Sequence, residues 1–254
     1  MMLEFTQDLT FIALGGAVIG LLLGGVSKGL LGIGLPLISV PLLVTFLPVH
    51  DALAVMMAPT LVANFWQALQ GGNPAPALRR FWPLLAALPL GILAGTHLLA
   101  SLNEQYLLGI VGGIVVVLSA VSLAHPAFHL PERFERSSGV VAGAGAGVLL
   151  GVALHMGPLL ALYFAALRLA KDEFVRTLGI TFAFGVLFTV TFYVAYGIFE
   201  ARHIVPTLVA LVPVVIGNWV GQKLRRHVPE AAFRKGMFIA LIIIGANLLR
   251  RGLM

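Results

Sequence analysis

The sequence of 254 residues has no cysteine and few charged side chains, and each shortage excludes a class of protein. Without cysteine the chain forms no disulfide and offers no thiolate to a metal. Charged residues make up 10% of the chain and apolar residues 59%, whereas a soluble domain carries about 25% charged residues. The mean hydropathy is +1.02. These values indicate a helical protein that crosses a lipid bilayer several times.

Enzymatic motifs are missing as well. The sequence contains no HExxH, no GxSxG, no P-loop and no buried pair of aspartates. Without a P-loop, ATP-driven transport by this chain alone is excluded, and an integral-membrane enzyme is disfavoured. The net charge of +6 does not indicate nucleic acid, because the basic residues form short clusters between apolar runs. We expect no catalytic residue, no metal and no cofactor.

One unusual motif occurs twice. Segment 25–36, GVSKGLLGIGLP, and segment 147–158, GVLLGVALHMGP, share the pattern Gly-x3-Gly-x6-Pro at a shift of about 122 positions. Each copy interrupts an apolar stretch. In hydrocarbon an unpaired backbone group costs several kcal/mol, so such breaks persist only inside protein or beside a watery cavity. Matching breaks in two halves of a chain are the best sequence indication of a transporter's binding site.

Apolar segments that are candidates for membrane-embedded helices follow one another along the whole chain. They are 9–28, 29–47, 51–70, 79–99, 104–124, 138–152, 153–168, 173–197, 203–222 and 233–250. The stretch 9–47 is long enough for two spans, or for one span and a re-entrant segment. The stretch 138–168 is too short for two full spans at about 1.5 Å per residue. We therefore expect a re-entrant hairpin or two short half-helices there.

Charges between the segments predict the orientation. Most basic residues fall on one side, which the positive-inside rule places in the cytoplasm, and both chain ends are then outside. That side holds Arg79, Arg80, Arg133, Arg136, Arg168, Lys171, Arg176, Lys223, Arg225, Arg226, Arg234 and Lys235. Glu4, Asp8, Asp51 and Glu200 fall on the other side, with Arg202, Arg250 and Arg251 as exceptions. An odd number of effective crossings in each half makes the halves run in opposite directions.

The sequence thus predicts an all-α polytopic membrane protein built of two inverted repeats. Residues 1–124 form the first transmembrane repeat, 125–137 a cytoplasmic linker, and 138–254 the second transmembrane repeat. Each repeat has one Gly/Pro-broken segment, re-entrant or half-helical, and about three spanning helices. The similarity extends past the motif, since Asp51 aligns with Glu173 at the same shift.

Further glycines also match between the halves. The spacing Gly-x3-Gly at 91–95 recurs at 217–221, after about four inserted residues in the second half. Small residues at this spacing let helices approach closely in lipid. We interpret these glycines as packing positions.

Two ionisable residues lie at the breaks. Lys28 either attracts an anion or extends from a helix end to the membrane surface. His155 either binds an anion or a coupled proton near neutral pH, or it is a buried histidine with a satisfied hydrogen bond. A half-helix that begins after a break presents unpaired N–H groups and a positive dipole end, an arrangement that suits an anion. No carboxylate lies in the core of a segment, so a hard cation is not the expected cargo.

Polar side chains on two other segments are further candidates. Thr60, Asn64 and Gln67 share one face of segment 51–70, where they either bond a neighbouring helix or contact substrate. Arg176 and Thr177 begin the matching helix of the second half. Arg176 is either a topology charge at the membrane surface or a residue at the mouth of an anion pathway.

The motifs resemble those of a known family. Segment 24–43, GGVSKGLLGIGLPLISVPLL, resembles the opening signature of the TauE/SafE family of sulfite and organosulfonate exporters, although Leu35 replaces a common glycine. Segment 147–160, followed by FVRT at 174–177, resembles its second motif. The resemblance spans nearly the whole chain. It implies a bacterial inner-membrane carrier of sulfur-containing anions that uses the proton gradient.

We therefore expect a multi-pass secondary transporter of the cell inner membrane, which exports sulfite or organosulfonates by proton-coupled alternating access. Its partners are a small anionic substrate and the lipid bilayer, with no nucleic acid, and a homodimer is one option for its assembly. A passive anion channel is the nearest alternative. The expected substrate-binding residues are Lys28, Gly29, Gly32, Gly34, Thr60, Asn64, His155 and Gly157.

Overall fold

A computed structural model describes residues 2–70, 73–124, 130–167, 169, 171–224 and 230–254, and within them the chain is helical and has no strand. The helices are α1 (Met2–Leu31), α2 (Leu35–Leu43), α3 (Val49–Val55), α4 (Met57–Gln70), α5 (Ala75–Arg80), α6 (Trp82–Ser101), α7 (Glu104–Ala124), α8 (Glu135–Ala153), α9 (Gly157–Ala166), α10 (Lys171–Ala195), α11 (Ile204–Leu224) and α12 (Glu230–Leu253). Short 3₁₀ turns precede α8 and α11. The all-α class is confirmed.

Several of these helices have the length and composition of membrane spans. Among the described residues, 6 stretches qualify: Val49–Leu69, Trp82–Ser101, Glu104–Val121, Glu135–Ala153, Arg176–Ala195 and Ala201–Leu224. Large apolar side chains such as Leu90 and Val205 are exposed on the outer faces. An apolar outer surface suits a lipid environment and would be unfavourable in water. The protein is a multi-pass membrane protein.

The two motifs interrupt helices where the sequence predicts, but the paired segments differ in length from the expectation. α1 continues to Leu31, and α2 has only 9 residues, so segment 29–47 is not a span. In the second half α8 has 19 residues and is long enough to cross, whereas α9 has 10. The expectation of two half-helices in 138–168 is therefore wrong for the first of them. α2 and α9 each extend roughly 15 Å, about half of a hydrocarbon core.

Small residues fold α2 back along α1. A Cβ on Gly20 would lie 2.9 Å from Cβ of Leu42, and Gly24 lies against Leu35 and Ser39. Ser39 Oγ donates a hydrogen bond of 3.1 Å to the carbonyl of Gly20. The pair is a tight helical hairpin, and residues 32–34 form its tip.

The joint between α3 and α4 has a chemical cause. Pro59 has no N–H, so the carbonyl of Val55 has no helical donor four residues on. Thr207 of α11 replaces that donor, because its hydroxyl donates to Val55 O at 2.9 Å and accepts from the N–H of Ala58 at 2.9 Å. The irregular joint is therefore fixed to the second half of the chain.

Glycine contacts hold the halves together, which confirms their interpretation as packing positions. Gly25 of α1 lies against Gly217 of α11, and Gly147 of α8 lies against Gly91 of α6. Further along each pair the Gly-x3-Gly partners again lie against the neighbouring backbone. In both pairs, residues further along one helix contact residues further along the other. α1 therefore runs parallel to α11, and α6 runs parallel to α8. Each pair joins the first half of the sequence to the second.

Side-chain contacts define two ends of the helix bundle. At one end Arg80 forms ion pairs with Glu135 and Glu173, at 2.7 Å and 3.1 Å. The hydrogen bond with Glu135 raises the pKa of Arg80 above its ordinary value. At the other end Asp51 accepts from the ring of His203 at 2.9 Å. His50, at the start of α3, contacts the carbonyl of Leu99 near the end of α6, so these helices are antiparallel.

The predicted linker 125–137 differs from the observed structure at its end, because residues 135–137 form the first turn of α8. Residues 125–129 lie outside the described residues, as do Arg168, Arg225 and Arg226 of the predicted basic side.

Candidate functional site

The first helix break depends on two glycines. Gly32 has φ 76° and Gly34 has φ 96°, a left-handed conformation that glycine adopts without strain. The N–H of Gly32 still bonds the carbonyl of Lys28 at 2.8 Å. Ser27 Oγ donates to the carbonyl of Ile33 at 3.2 Å, which satisfies a backbone group inside the break. α2 then begins with its amide groups facing the tip.

The second break uses a residue that is not glycine. Leu154 closes α8 in the left-handed region, with φ 54° and ψ 27°. A conformation of this kind is unfavourable for a branched side chain and persists where the surrounding structure imposes it, often at functional sites. Tyr193 Oη donates to the carbonyl of Gly151 at 2.8 Å, and both groups are buried. The tyrosine satisfies a carbonyl in the last turn of α8, which has no partner within the helix.

The two breaks lie against each other. A Cβ built on Gly157 would lie 3.4 Å from Cζ of Phe182 and 3.9 Å from Cβ of Ile33. The Phe182 ring also faces Lys28, whose Nζ lies 5.3 Å from the ring centroid. One aromatic ring on α10 thus contacts both Gly/Pro motifs. The sequence motifs, 122 positions apart, form a single locus in space.

Lys28 is the charged group at this locus. Its Nζ donates a hydrogen bond of 2.6 Å to Oδ1 of Asn64. The two side chains are 7% and 3% exposed. The alternative in which Lys28 extends to the membrane surface is therefore wrong, because the ammonium points into the protein. The amide of Asn64 is neutral, so it does not cancel the positive charge of a protonated Lys28, and that charge favours an anion beside it.

His155 is buried without a hydrogen bond among the described residues. It is 2% exposed, and neither Nδ1 nor Nε2 has a partner there. Buried polar groups nearly always have partners, so an exception needs an explanation. The alternative of a satisfied structural histidine is not what the structure contains. Two unbonded ring nitrogens beside Gly157 are available to a ligand, a water or a proton.

Further polar groups line the facing helices α4 and α10. Thr60 Oγ1, Gln67 Oε1 and Thr177 Oγ1 are buried and have no hydrogen bond among the described residues. Thr181 differs, since its hydroxyl bonds the carbonyl of Thr177 at 2.8 Å. A Cβ on Gly32 would lie 3.8 Å from Nε2 of Gln67, so this amide borders the first break. These groups offer hydrogen bonds without adding charge.

Three further residues lie in different surroundings. Gly29 is inside α1, and its Cα faces the carbonyl of Asn218 on α11. Trp66 is exposed and borders an apolar groove between α4 and α11, with a volume of about 260 Å³. Arg176 is partly buried on α10. Among the described residues no cluster of His, Cys, Asp or Glu could hold a metal ion.

Four residues at the locus were not found from the sequence. Ser27 and Ile33 stand inside the first motif, yet they attract no notice beside Lys28 and the glycines. Phe182 and Tyr193 lie in the apolar helix α10, where an aromatic side chain is ordinary. Only the phenol hydroxyl of Tyr193, which needs a partner when buried, is a usable signal.

The family comparison agrees with the two motifs. Residues 17–248 match the family model described as sulfite exporter TauE/SafE. The chain belongs to the TauE/SafE family. No curated protein and no solved structure matches it. The TauE/SafE match begins inside α1 and ends inside α12, so it includes both breaks and every nominated residue. The family is one of membrane transporters, and its description indicates anion export.

Proposed function

We propose that this protein is a secondary transporter that exports sulfur-containing anions, such as sulfite or organosulfonates, across the cell inner membrane. The observation that carries the proposal is the buried ammonium of Lys28 at the first break, in contact with the ring that borders the second. A TauE/SafE transporter needs positive potential for its anionic cargo, and Lys28 supplies it inside the helix bundle.

The anion would bind between the breaks. Lys28 attracts it, and Thr60 and Asn64 offer neutral hydrogen bonds. The first N–H groups of α2 and α9 lack helical partners and carry the positive ends of the helix dipoles. His155 adds a donor that becomes cationic on protonation. Gly32 and Gly34 give the first break its shape, and Gly157 leaves space where a side chain would stand.

The same site suits proton coupling. A bound anion favours the protonated form of an imidazole beside it, so anion binding would be accompanied by proton uptake at His155. In this proposal His155 is protonated when the anion is bound and releases its proton after the anion leaves. The anion and the proton then cross together, so net export requires an outward anion gradient that exceeds the opposing inward proton gradient.

In this proposal alternating access follows from two inverted repeats, residues 1–124 and 135–254, and a cytoplasmic linker before α8 joins them. Two observations support the inversion. α1 is parallel to α11 and α6 is parallel to α8, so each pair consists of one helix from the first half and one from the second. α3 and α6 are antiparallel, as the contact between His50 and Leu99 indicates. Rocking one repeat against the other would expose the site to each side in turn.

Reconstitution tests the function. Purified protein in proteoliposomes would be screened against sulfite, thiosulfate, taurine, sulfoacetate and sulfolactate, with acetate and lactate as carboxylate controls. The proposal expects saturable flux of at least one sulfur-containing anion, and accelerated exchange when the same anion is present on both sides. Flux that never saturates and shows no exchange would indicate a channel. No flux of any sulfur-containing anion would contradict the proposal.

A further inference from the structure

Two ion-pair clusters lie at opposite ends of the helix bundle, and both join the first half of the chain to the second. In one, Arg202 NH2 lies 3.2 Å from Oδ1 of Asp51. In the other, Arg80 NH1 lies 3.1 Å from Oε1 of Glu173. We call them the Asp51 cluster and the Glu173 cluster. Each joins the beginning of a long spanning segment in one half to the turn before α6 or α11 in the other.

The two clusters are equivalent in the repeat. Asp51 and Glu173 are 122 positions apart, and Arg80 and Arg202 are also 122 positions apart. This is the shift that relates the two Gly/Pro motifs. The partners are exchanged between the halves, since the carboxylate of the first half pairs with the arginine of the second, and the reverse. The same interaction therefore occurs once at each end of the bundle.

In each cluster the arginine also has a second carboxylate. Arg80 binds Glu135 through two hydrogen bonds, at 2.7 Å and 3.0 Å. Arg202 binds Glu200 at 3.0 Å. Glu200 lies in the same half as Arg202, whereas Glu135 begins α8 of the second half, so both carboxylates of Arg80 belong to the opposite half. Arg202, an exception to the charge rule that predicts orientation, has a structural reason to be at its end.

We propose that the Asp51–Arg202 and Glu173–Arg80 pairs are two opposing latches, of which one opens when the transporter exposes its site to that end of the bundle. The proposal rests on the proposed function, because latches at both ends matter only to a site that is exposed alternately.

The exposure of the pairs fits this role. Arg80 and Arg202 side chains are 39% and 63% exposed, so water solvates each charge when a pair separates. Exposed ion pairs shift an equilibrium by only about two- to fivefold. A contact of this strength biases a conformational equilibrium without locking it. A fully buried pair would be too unfavourable to separate in every cycle.

The absence of cysteine makes the test direct, because a single introduced cysteine is the only thiol. Met156→Cys places it at the second break, where the native side chain is fully buried. A membrane-impermeant maleimide, added to vesicles of defined orientation, would report the labelling rate from each end. Asp51→Asn weakens one latch, and Glu173→Gln weakens the other, in which Arg80 keeps its hydrogen bonds to Glu135. Arg79→Gln and Arg251→Gln are the controls, since both arginines are exposed and lie outside the clusters.

We expect Asp51→Asn to raise labelling from its own end by about two- to fivefold and to lower it from the other. Glu173→Gln should do the reverse, and the controls should match the parent. Arg202→Gln should shift labelling in the same direction as Asp51→Asn but by less, because His203 still bonds Asp51, and it should add little in the double variant. If one carboxylate variant does not fold, the arginine variant of the same latch replaces it.

Unchanged labelling in both latch variants, or a change in the same direction for both, would overturn the proposal. Labelling needs no substrate, so this outcome is separate from failure of the proposed function. Opposite shifts without flux of any sulfur-containing anion would support the latches and reject the cargo. Anion flux with unchanged labelling would reject the latches alone.

Discussion

Nζ of Lys28 and Oδ1 of Asn64 lie 2.6 Å apart inside the protein, and they join the end of α1 to the middle of α4. The partner of the ammonium is an amide and not a carboxylate. Hydrogen bonds to charged groups contribute about 1.5–3 kcal/mol, so Asn64 holds Lys28 in place firmly. It does so without cancelling the charge. An amide is thus the partner expected where a lysine must be fixed and still attract an anion.

Asn64→Asp tests this relationship with almost no change in shape. A carboxylate would pair with Lys28, cancel the charge of the site and repel an anion. We expect the variant to lose anion flux by at least about tenfold, the effect of 1.4 kcal/mol, while its melting temperature stays near that of the wild type. Asn73→Asp, on an exposed residue before α5, is the matched control. Normal flux in Asn64→Asp would mean that the charge of Lys28 does not serve the anion.

Two substitutions of Gly157 test whether the substrate uses the space beside this residue. A Cβ there meets Phe182 and Ile33 at ordinary contact distances of 3.4 Å and 3.9 Å, so Gly157→Ala should retain most of its flux. Gly157→Leu must displace one of those neighbours and fill the space between the breaks. We expect it to abolish flux while the protein still inserts and elutes as a single species. Equal flux in the two variants would show that this space is not used by the substrate.

Gly34 is constrained by its backbone. Alanine would be strained at φ 96°, and its Cβ would lie 2.6 Å from Oγ of Ser27. Gly197, with φ 69° and no atom within 4 Å of a built Cβ, isolates the backbone effect. Gly197→Ala should destabilise by about 1 kcal/mol, and Gly34→Ala by more because of the added clash. Thermal unfolding in detergent measures both. A smaller loss in Gly34→Ala would contradict the described tip.

We expect His155 to make anion binding depend on pH. Protonation adds a positive charge beside the anion, so binding should strengthen as the pH of the medium falls from about 7.5 to 5.5. Methanesulfonate suits the measurement because its charge is constant there. We expect uptake by the wild type to increase toward low pH and His155→Gln to lose that increase. The same rise in both proteins would assign the proton to another group.

The sequence was sufficient to predict where the helices are interrupted, but not how long the neighbouring helices are. Two Gly/Pro motifs at one shift predict that helices stop there, and α1 and α8 do stop within four residues of Gly34 and Gly157. The length of α8 was underestimated, because Glu135 and Arg136 look like linker and are its first turn. Polar residues at helix ends are common, so hydropathy alone sets such boundaries poorly.

The contents of the site were predicted unevenly. Lys28 and Asn64 are polar residues in apolar segments, which is why both were nominated, but nothing in the sequence pairs residues 36 positions apart. Gly29 carries the same motif as Gly32 and yet lies inside a helix against α11. Tertiary packing decides which glycine of a motif bends the chain and which one admits a neighbour. That information is absent from the spacing.

The measurement closest to the central claim is equilibrium binding of sulfite to the purified full-length protein and to Lys28→Met. Methionine keeps the apolar length of lysine and removes the charge. Lys223→Met, on an exposed residue stacked over Trp219, controls for loss of a lysine elsewhere. We predict that Lys28→Met weakens sulfite binding at least about tenfold, equal to 1.4 kcal/mol, while Lys223→Met binds as the wild type does. Unchanged affinity in Lys28→Met would contradict the claim that the two breaks enclose an anion site built around this ammonium.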